Sequence, residues 1–203
     1  MMMRTLYFLL IFSLTTILSQ AQDTYSVKRI GLTFSSFGEN DVARVGGKEL
    51  IGGPSYYGKD FYTVGFDYIQ SVGKLRWLEL ETGVEYSRHK IEIKPAPFID
   101  AAPRNEDFSV LSIPLTLRAS FLKYLFINGG LMVNIDGGSM PIDGQTGLGS
   151  LLGVGLKYDF KSGIGLFANP YAKIYSLVPF EHKDNRQQIL ESGFRFGVVY
   201  KLK

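Results

Sequence analysis

The chain contains no cysteine, which excludes disulfides, zinc–thiolate sites, thiol nucleophiles and acylation at cysteine. It also lacks a strong excess of one charge, since 22 Lys and Arg accompany 19 Asp and Glu in 203 residues. A formal charge of +3 is too small for a polybasic nucleic-acid binder, so no nucleic acid is expected as a partner. After Gln22, no apolar run approaches the ~20 residues that a transmembrane helix needs.

The first 21 residues have the three parts of a secretory signal peptide. Met1–Arg4 is a short basic start, 6–18 is uncharged and apolar, and Ser19–Ala21 offers small residues for cleavage. The apolar run is shorter than a membrane-spanning helix, which argues against an uncleaved anchor. We therefore expect a signal peptide at 1–21 and one exported domain at 22–203.

Downstream of the leader, the dominant pattern is a two-residue alternation of apolar and polar side chains. It is clearest at 108–121, 125–136 and 193–202, and weaker in five further segments, at 27–37, 61–72, 75–91, 148–160 and 164–176. A two-residue period indicates β-strands, so we expect eight strands. Pro114 and Pro170 each fall inside one of them and would remove a hydrogen-bond donor.

The connections alternate between short and long. Short links at 71–74, 122–124 and 161–163 separate long polar ones at 39–60, 92–107, 137–146 and 179–188. This asymmetry is typical of outer-membrane barrels, which have tight periplasmic turns and longer external loops. The predicted fold is all-β, an eight-stranded up-and-down antiparallel transmembrane β-barrel.

Charge on the two strand faces distinguishes a membrane barrel from a soluble lipocalin-like, ligand-binding barrel. One face is nearly free of charge, and aromatic residues gather near its ends, at Tyr62, Tyr68, Tyr86, Tyr158, Phe160 and Tyr200. The other face collects charges of both signs, and a lipid-exposed wall requires that arrangement. We expect Glu79, Glu81 and Glu85 to pair with Arg118, Arg29 and Arg195 in a lumen filled by side chains. Glycines at 147, 149, 153, 155 and 165 are expected on the same inner face.

The chain resembles the PorT-like outer-membrane β-barrel proteins of Bacteroidetes. The resemblance is carried by the leader ending in Ser-Gln-Ala-Gln and by the segments at 110–118, 124–130 and 193–200. The resemblance implies localisation in the cell outer membrane, with outer-membrane lipid and the barrel-assembly machinery as partners. An accessory role in secretion is the further function that it suggests. The resemblance implies no catalytic or ligand residues. Lys203 stands where such barrels commonly end in an aromatic residue.

No catalytic, cofactor-binding or metal site is predicted, and the protein is not expected to be an enzyme. Gly53–Asp60 fits a phosphate-binding loop except at its last position, where Asp60 replaces the required Ser or Thr. His89 and His182 are expected at the external rim, His89 near Ser87, so a rim hydrolase remains an alternative. A narrow transport pore is the other alternative function. The leading hypothesis is a structural or interaction protein whose external loops meet protein partners.

Overall fold

The protein is an eight-stranded antiparallel barrel in which each strand pairs with its sequence neighbours and β8 closes onto β1. The computed structural model describes residues 27–45, 53–138, 141–181 and 186–202. Within those ranges, no helix is long and apolar enough to cross a membrane. The predicted leader lies outside them. The strands are β1 Lys28–Val45, β2 Ser55–Val72, β3 Leu75–Lys94, β4 Arg104–Phe121, β5 Leu125–Asp136, β6 Gly147–Asp159, β7 Ile164–Pro179 and β8 Arg186–Lys201.

The prediction of eight strands is confirmed, but several strands are longer than the sequence pattern indicated. β1 continues to Val45 instead of ending at Phe37, β2 begins at Ser55, and β8 begins at Arg186. The long connections predicted at one end are therefore partly strand. Pairing continues past each proline on one side only. Pro114 lies opposite Met132 on β5 and Pro170 lies opposite Phe194 on β8, whereas the pairing of β4 with β3 and of β7 with β6 is interrupted there.

The two ends of the barrel differ as expected. At the lower end lie both termini of the strand ring and the three short turns, at 73–74, 122–124 and 160–163. Gly73 and Gly163 have φ of 55° and 88°, a region that glycine enters without steric cost. The four longer connections lie at the upper end.

The polarity of the wall inverts partway along the strands. In the lower part of β3, Val84 points outward while Glu85 is fully buried in the lumen. Farther up the same strand, Ile91 is buried inside, whereas Arg88 and Lys94 face outward. The two-residue alternation continues without interruption, so the same face is polar at one height and apolar at another.

The lower region has an exterior that we call the apolar belt. On β5 the belt runs from Leu125 to Ile135, which corresponds to roughly 26 Å along the barrel axis at a 40° strand tilt. This height matches the ~25 Å apolar band of outer-membrane barrels. Exposed members of the belt include Leu32, Phe34, Val64, Phe66, Val84, Leu111, Ile113, Leu117, Ile127, Leu131, Leu152, Val154, Leu156, Leu166, Phe194, Phe196 and Val198.

Above the belt, the strands continue as a second region that we call the upper extension, formed by 39–45, 55–61, 88–94, 104–108, 176–179 and 186–189. An apolar cluster fills its interior and the adjoining lumen, with Ile91, Ile93, Phe108, Val110, Met132, Ile142, Tyr175 and Ile189 buried in it. On β1 to β4 charged residues occupy its outer surface, as in a water-soluble β-structure, whereas on β7 the exposed residues are Leu177 and Val178.

The seam between β1 and β2 is the irregular part of the wall. Their paired register ends at Ser35 and Thr63, and from there β1 follows β8 alone. β1 shifts register with β8 between Ser35 and Phe37, and β2 shifts register with β3 a little farther up, between Gly58 and Asp60. Higher up, the Asn40 side chain rejoins the two by donating a hydrogen bond to the carbonyl oxygen of Asp60 at 3.3 Å. Contacts between side chain and backbone thus bridge the seam in the upper extension.

Candidate functional site

The lumen contains a network of ion pairs centred on Glu81. Its Oε2 lies 2.7 Å from Nη2 of Arg118, and its Oε1 lies 2.9 Å from Nη2 of Arg195. All three side chains are at most 3% exposed. Arg29 pairs with Glu79 near the lower end, where Lys157 also approaches Glu79 at 3.4 Å. The three glutamates predicted to pair with Arg29, Arg118 and Arg195 do so.

The network continues upward through Glu85. Lys173 Nζ donates a hydrogen bond to Glu85 Oε2 at 2.6 Å, and Arg195 Nη1 lies 3.4 Å from Oε1. The next acid up is Glu191, which accepts hydrogen bonds from the hydroxyl groups of Tyr171 and Tyr175 at 2.6 and 2.8 Å. The polar groups of the middle lumen are therefore linked from wall to wall across the barrel.

Charge in this network is balanced. The lower and middle lumen holds five acidic and five basic side chains, so the interior carries no formal net charge. Such pairing mainly avoids isolated charges in a medium of low polarity. The side chains are Asp67, Glu79, Glu81, Glu85 and Glu191 with Arg29, Arg118, Lys157, Lys173 and Arg195, and of these ten only Asp67 forms no ion pair.

Apolar layers flank the charged middle of the lumen. Below, Phe126 and Phe167 pack edge to face at 6.1 Å and belong to a cluster with Ile69 and Val199. The Arg118 guanidinium lies 4.4 and 4.6 Å from the two ring centroids, so it stacks on this layer while pairing with Glu81 above. Above, the apolar cluster of the upper extension covers the network. These layers keep the ion pairs of Glu81 and Glu85 away from bulk water, whereas Arg29 and Lys157 at the lower end remain partly exposed.

The predicted rim position of His89 is wrong. The imidazole is fully buried inside the barrel, stacked on Phe61 and Phe108 at centroid distances of 6.1 and 5.2 Å. Ser87 is also fully buried, and its hydroxyl lies 2.8 Å from that of Thr63. His182 lies outside the described residues. A substrate in solution could not reach the Ser87–His89 pair, so the structure gives no support to a rim hydrolase.

The upper rim holds a recess of about 420 Å³ beside the connection between β5 and β6. Its walls include Asp143, Phe180 and Arg186. Burial lowers the pKa of Arg186, and the nearby Asp143 carboxylate opposes this shift. Across the described part of the chain, no cluster of three or more His, Asp or Glu residues is placed to hold a metal ion. The segment compared with a phosphate-binding loop ends inside β2, at Asp60, and is not followed by a helix.

The sequence does not reveal every partner in the lumen network. Lys173 and Glu191 alternate with apolar residues on their strands, which places them on the inner face, but the Lys173–Glu85 contact joins residues 88 positions apart in sequence. Such a pairing depends on the shear of the closed barrel, which period alone does not reveal. The tyrosines that bind Glu191 carried no signal either, because a tyrosine suits a strand on either face.

The known structures to which this chain is similar share little sequence with it. No family model matches the chain, and no curated protein matches it. Among solved structures, the outer membrane protein AlkL in lipid bilayers shares 16% identity and a TM-score of 0.46 over 89% of this chain and 94% of that one. The outer membrane protein OprG from Pseudomonas aeruginosa shares 12% identity and a TM-score of 0.48 over 90% of this chain and 98% of that one. The translocator domain of autotransporter NalP from Neisseria meningitidis shares 14% identity and a TM-score of 0.36 over 96% of this chain and 95% of that one.

Proposed function

We propose that the protein is a barrel of the bacterial outer membrane, spanning the lipid with its apolar belt. The inversion of wall polarity supports this proposal most directly. Along β3 and β4 the upper extension places charged side chains outside and apolar ones such as Ile91, Ile93 and Phe108 inside, as water requires, whereas the belt does the reverse. One chain thus has one surface suited to water and another suited to lipid, and the belt has the height of a lipid core. Outward-facing aromatics such as Tyr62, Tyr86, Tyr158 and Tyr200 suit the lipid headgroup regions that border it.

The orientation follows from the connections. Short turns face the periplasm in outer-membrane barrels, and longer connections face the exterior. The lower end, with its turns at 73–74, 122–124 and 160–163, would therefore lie in the periplasm. The upper extension would stand outside the cell, roughly 20 Å above the belt as measured from Tyr86 to Lys94.

We further propose a structural or interaction role, without catalysis and without transport through the lumen. The balanced ion pairs and the apolar layers above and below them leave no continuous path for hydrated ions. The exposed surface available to partners is the upper extension and its connections. On the loop that joins β3 to β4, Phe98 is 93% exposed and Ile99 is 59% exposed.

Single-channel recording tests the closed lumen. Purified barrel reconstituted into a planar lipid bilayer is expected to show no steady conductance, because side chains fill the middle lumen and apolar layers lie above and below its ion pairs. The same preparation should show the folded, heat-sensitive band on a gel, which excludes failed insertion as the reason. Reproducible ion conductance from the folded protein would favour the narrow pore instead.

The resemblance to PorT-like barrels adds an accessory role in secretion to this proposal. No described residue carries that role by itself, so a partner must be sought directly. Crosslinking in cells, followed by purification of the full chain, is expected to recover secretion components through the upper extension. Recovery of the barrel without any such component would remove the secretion role and leave the membrane assignment unaffected.

A further inference from the structure

The lower rim has a recess of about 640 Å³ between the turn at 122–124 and the turn at 160–163. Aromatic rings form one wall. Tyr124 stacks on Tyr158 with centroids 6.0 Å apart and planes 13° apart, and Tyr158 meets Phe160 edge to face at 4.8 Å. All three rings are exposed, at 43–50%. They form an aromatic slab at the lower boundary of the apolar belt, where the lipid headgroups begin.

Two lysines stand at the edge of this slab. Lys123 Nζ lies 5.2 Å above the Tyr124 ring, and Lys161 comes from the neighbouring turn. Neither lysine forms an ion pair with another described residue. The acid nearest in sequence to Lys161, Asp159, pairs with Arg29 at 3.4 Å. The recess therefore combines an aromatic wall with two lysines that form no ion pair within the described part of the chain, and the one acidic residue in its lining, Asp159, is paired with Arg29.

The whole lower rim shares this sign of charge. Each short turn contributes one lysine, namely Lys74, Lys123 and Lys161, and the strand ends add Lys28 and Lys201. Asp159 is the single acidic residue in the turns and strand ends of the described lower rim. A basic rim next to a lipid-facing wall attracts anionic headgroups, and exposed aromatic rings pack against the upper part of acyl chains.

We propose that the recess between these two turns is a binding site for an anionic phospholipid of the inner leaflet. Its phosphate would lie between Lys123 and Lys161, and its chains would run up the belt beside Tyr124 and Tyr158. This inference rests on the proposed membrane location. Among the lower turns, this pair joins two lysines to an aromatic slab, whereas Lys74 lies in a two-residue turn outside the recess.

Native mass spectrometry of the folded full barrel in detergent tests the site, with added phosphatidylglycerol compared against phosphatidylcholine. Wild type should retain phosphatidylglycerol in preference to phosphatidylcholine. Replacing both recess lysines, as K123Q/K161Q, should lower phosphatidylglycerol retention about tenfold, since each lysine near an anionic surface contributes to attraction. The matched control K28Q/K74Q removes the same charge from the same rim and should change retention less than about twofold.

Equal retention of the two lipids by wild type, or an equal loss in both double variants, would overturn the site and leave only diffuse attraction. The four lysines lie in turns or at a strand end, and the gel mobility of unheated samples verifies that each variant is folded. If lipid preference is absent while the protein remains in the membrane fraction, this inference alone fails. If the protein is recovered as a soluble species, the proposed membrane location fails as well.

Discussion

Glu81→Gln is expected to lower the free energy of unfolding of the barrel by about 3–5 kcal/mol. Glu81 is 1% exposed and forms ion pairs with both Arg118 and Arg195, at 2.7 and 2.9 Å. The glutamine keeps the volume but removes the charge, so two buried guanidinium groups lose their shared counter-ion. Urea unfolding in lipid vesicles, followed by tryptophan fluorescence from Trp77, measures the effect.

The matched control is Glu92→Gln in the upper extension. Glu92 pairs with Lys59 at 3.3 Å, and the lysine side chain is 44% exposed. Ion pairs of this kind contribute about 0–1 kcal/mol, so this variant should resemble wild type. Combining Glu81→Gln with Arg118→Met removes one acid and one base and so restores the charge balance of the lumen. The double variant should recover part of the lost stability, because Arg195 keeps its ion pair with Glu85. Similar effects of Glu81→Gln and the control would contradict the buried network.

Leu152→Arg is expected to destabilise the membrane-inserted barrel by about 2–4 kcal/mol. Leu152 is 69% exposed, lies midway along β6 and is in register with Gly129, so it faces outward at the middle of the apolar belt. An arginine there must enter hydrocarbon or distort the bilayer around it. Vesicle unfolding titrations and the yield of folded protein in membranes both report the change.

The same substitution at Leu122 provides the comparison. Leu122 is 80% exposed and lies in the lower turn at 122–124, beyond the belt. Leu122→Arg should cost at most about 1 kcal/mol, because the penalty fades toward the interface. If the barrel were soluble, both leucines would face water and both variants would have stability near that of wild type. Equal, small effects at the two sites would therefore contradict a lipid-facing wall.

Alternation in the sequence predicted the strand faces because it depends only on the direction of successive side chains. The partners of Glu79, Glu81 and Glu85 were predicted from that face assignment together with a lumen too narrow for unpaired charge. The pairing of Lys173 with Glu85 needed the closed ring, since strands β3 and β7 are not neighbours in the sheet.

The upper extension was mistaken for loops because its alternation has the opposite sense. At the top of β3, Ile91 and Ile93 lie on the face that carries Glu85 lower down, so a search for one charge-free face stops there. The solvent outside the barrel changes at that height while the period does not. His89 was misplaced for the same reason, since a strand end that was expected to be a rim is a packed interior.

Gel mobility of the protein after cell fractionation tests the central claim, which is a closed barrel embedded in the outer membrane. We expect to recover the protein in the membrane fraction, and we expect boiled and unboiled samples to migrate differently in SDS. A folded barrel keeps its compact form in the detergent until it is heated. Recovery in the soluble periplasmic fraction, with one mobility before and after boiling, would contradict the lipid-facing assignment of the belt.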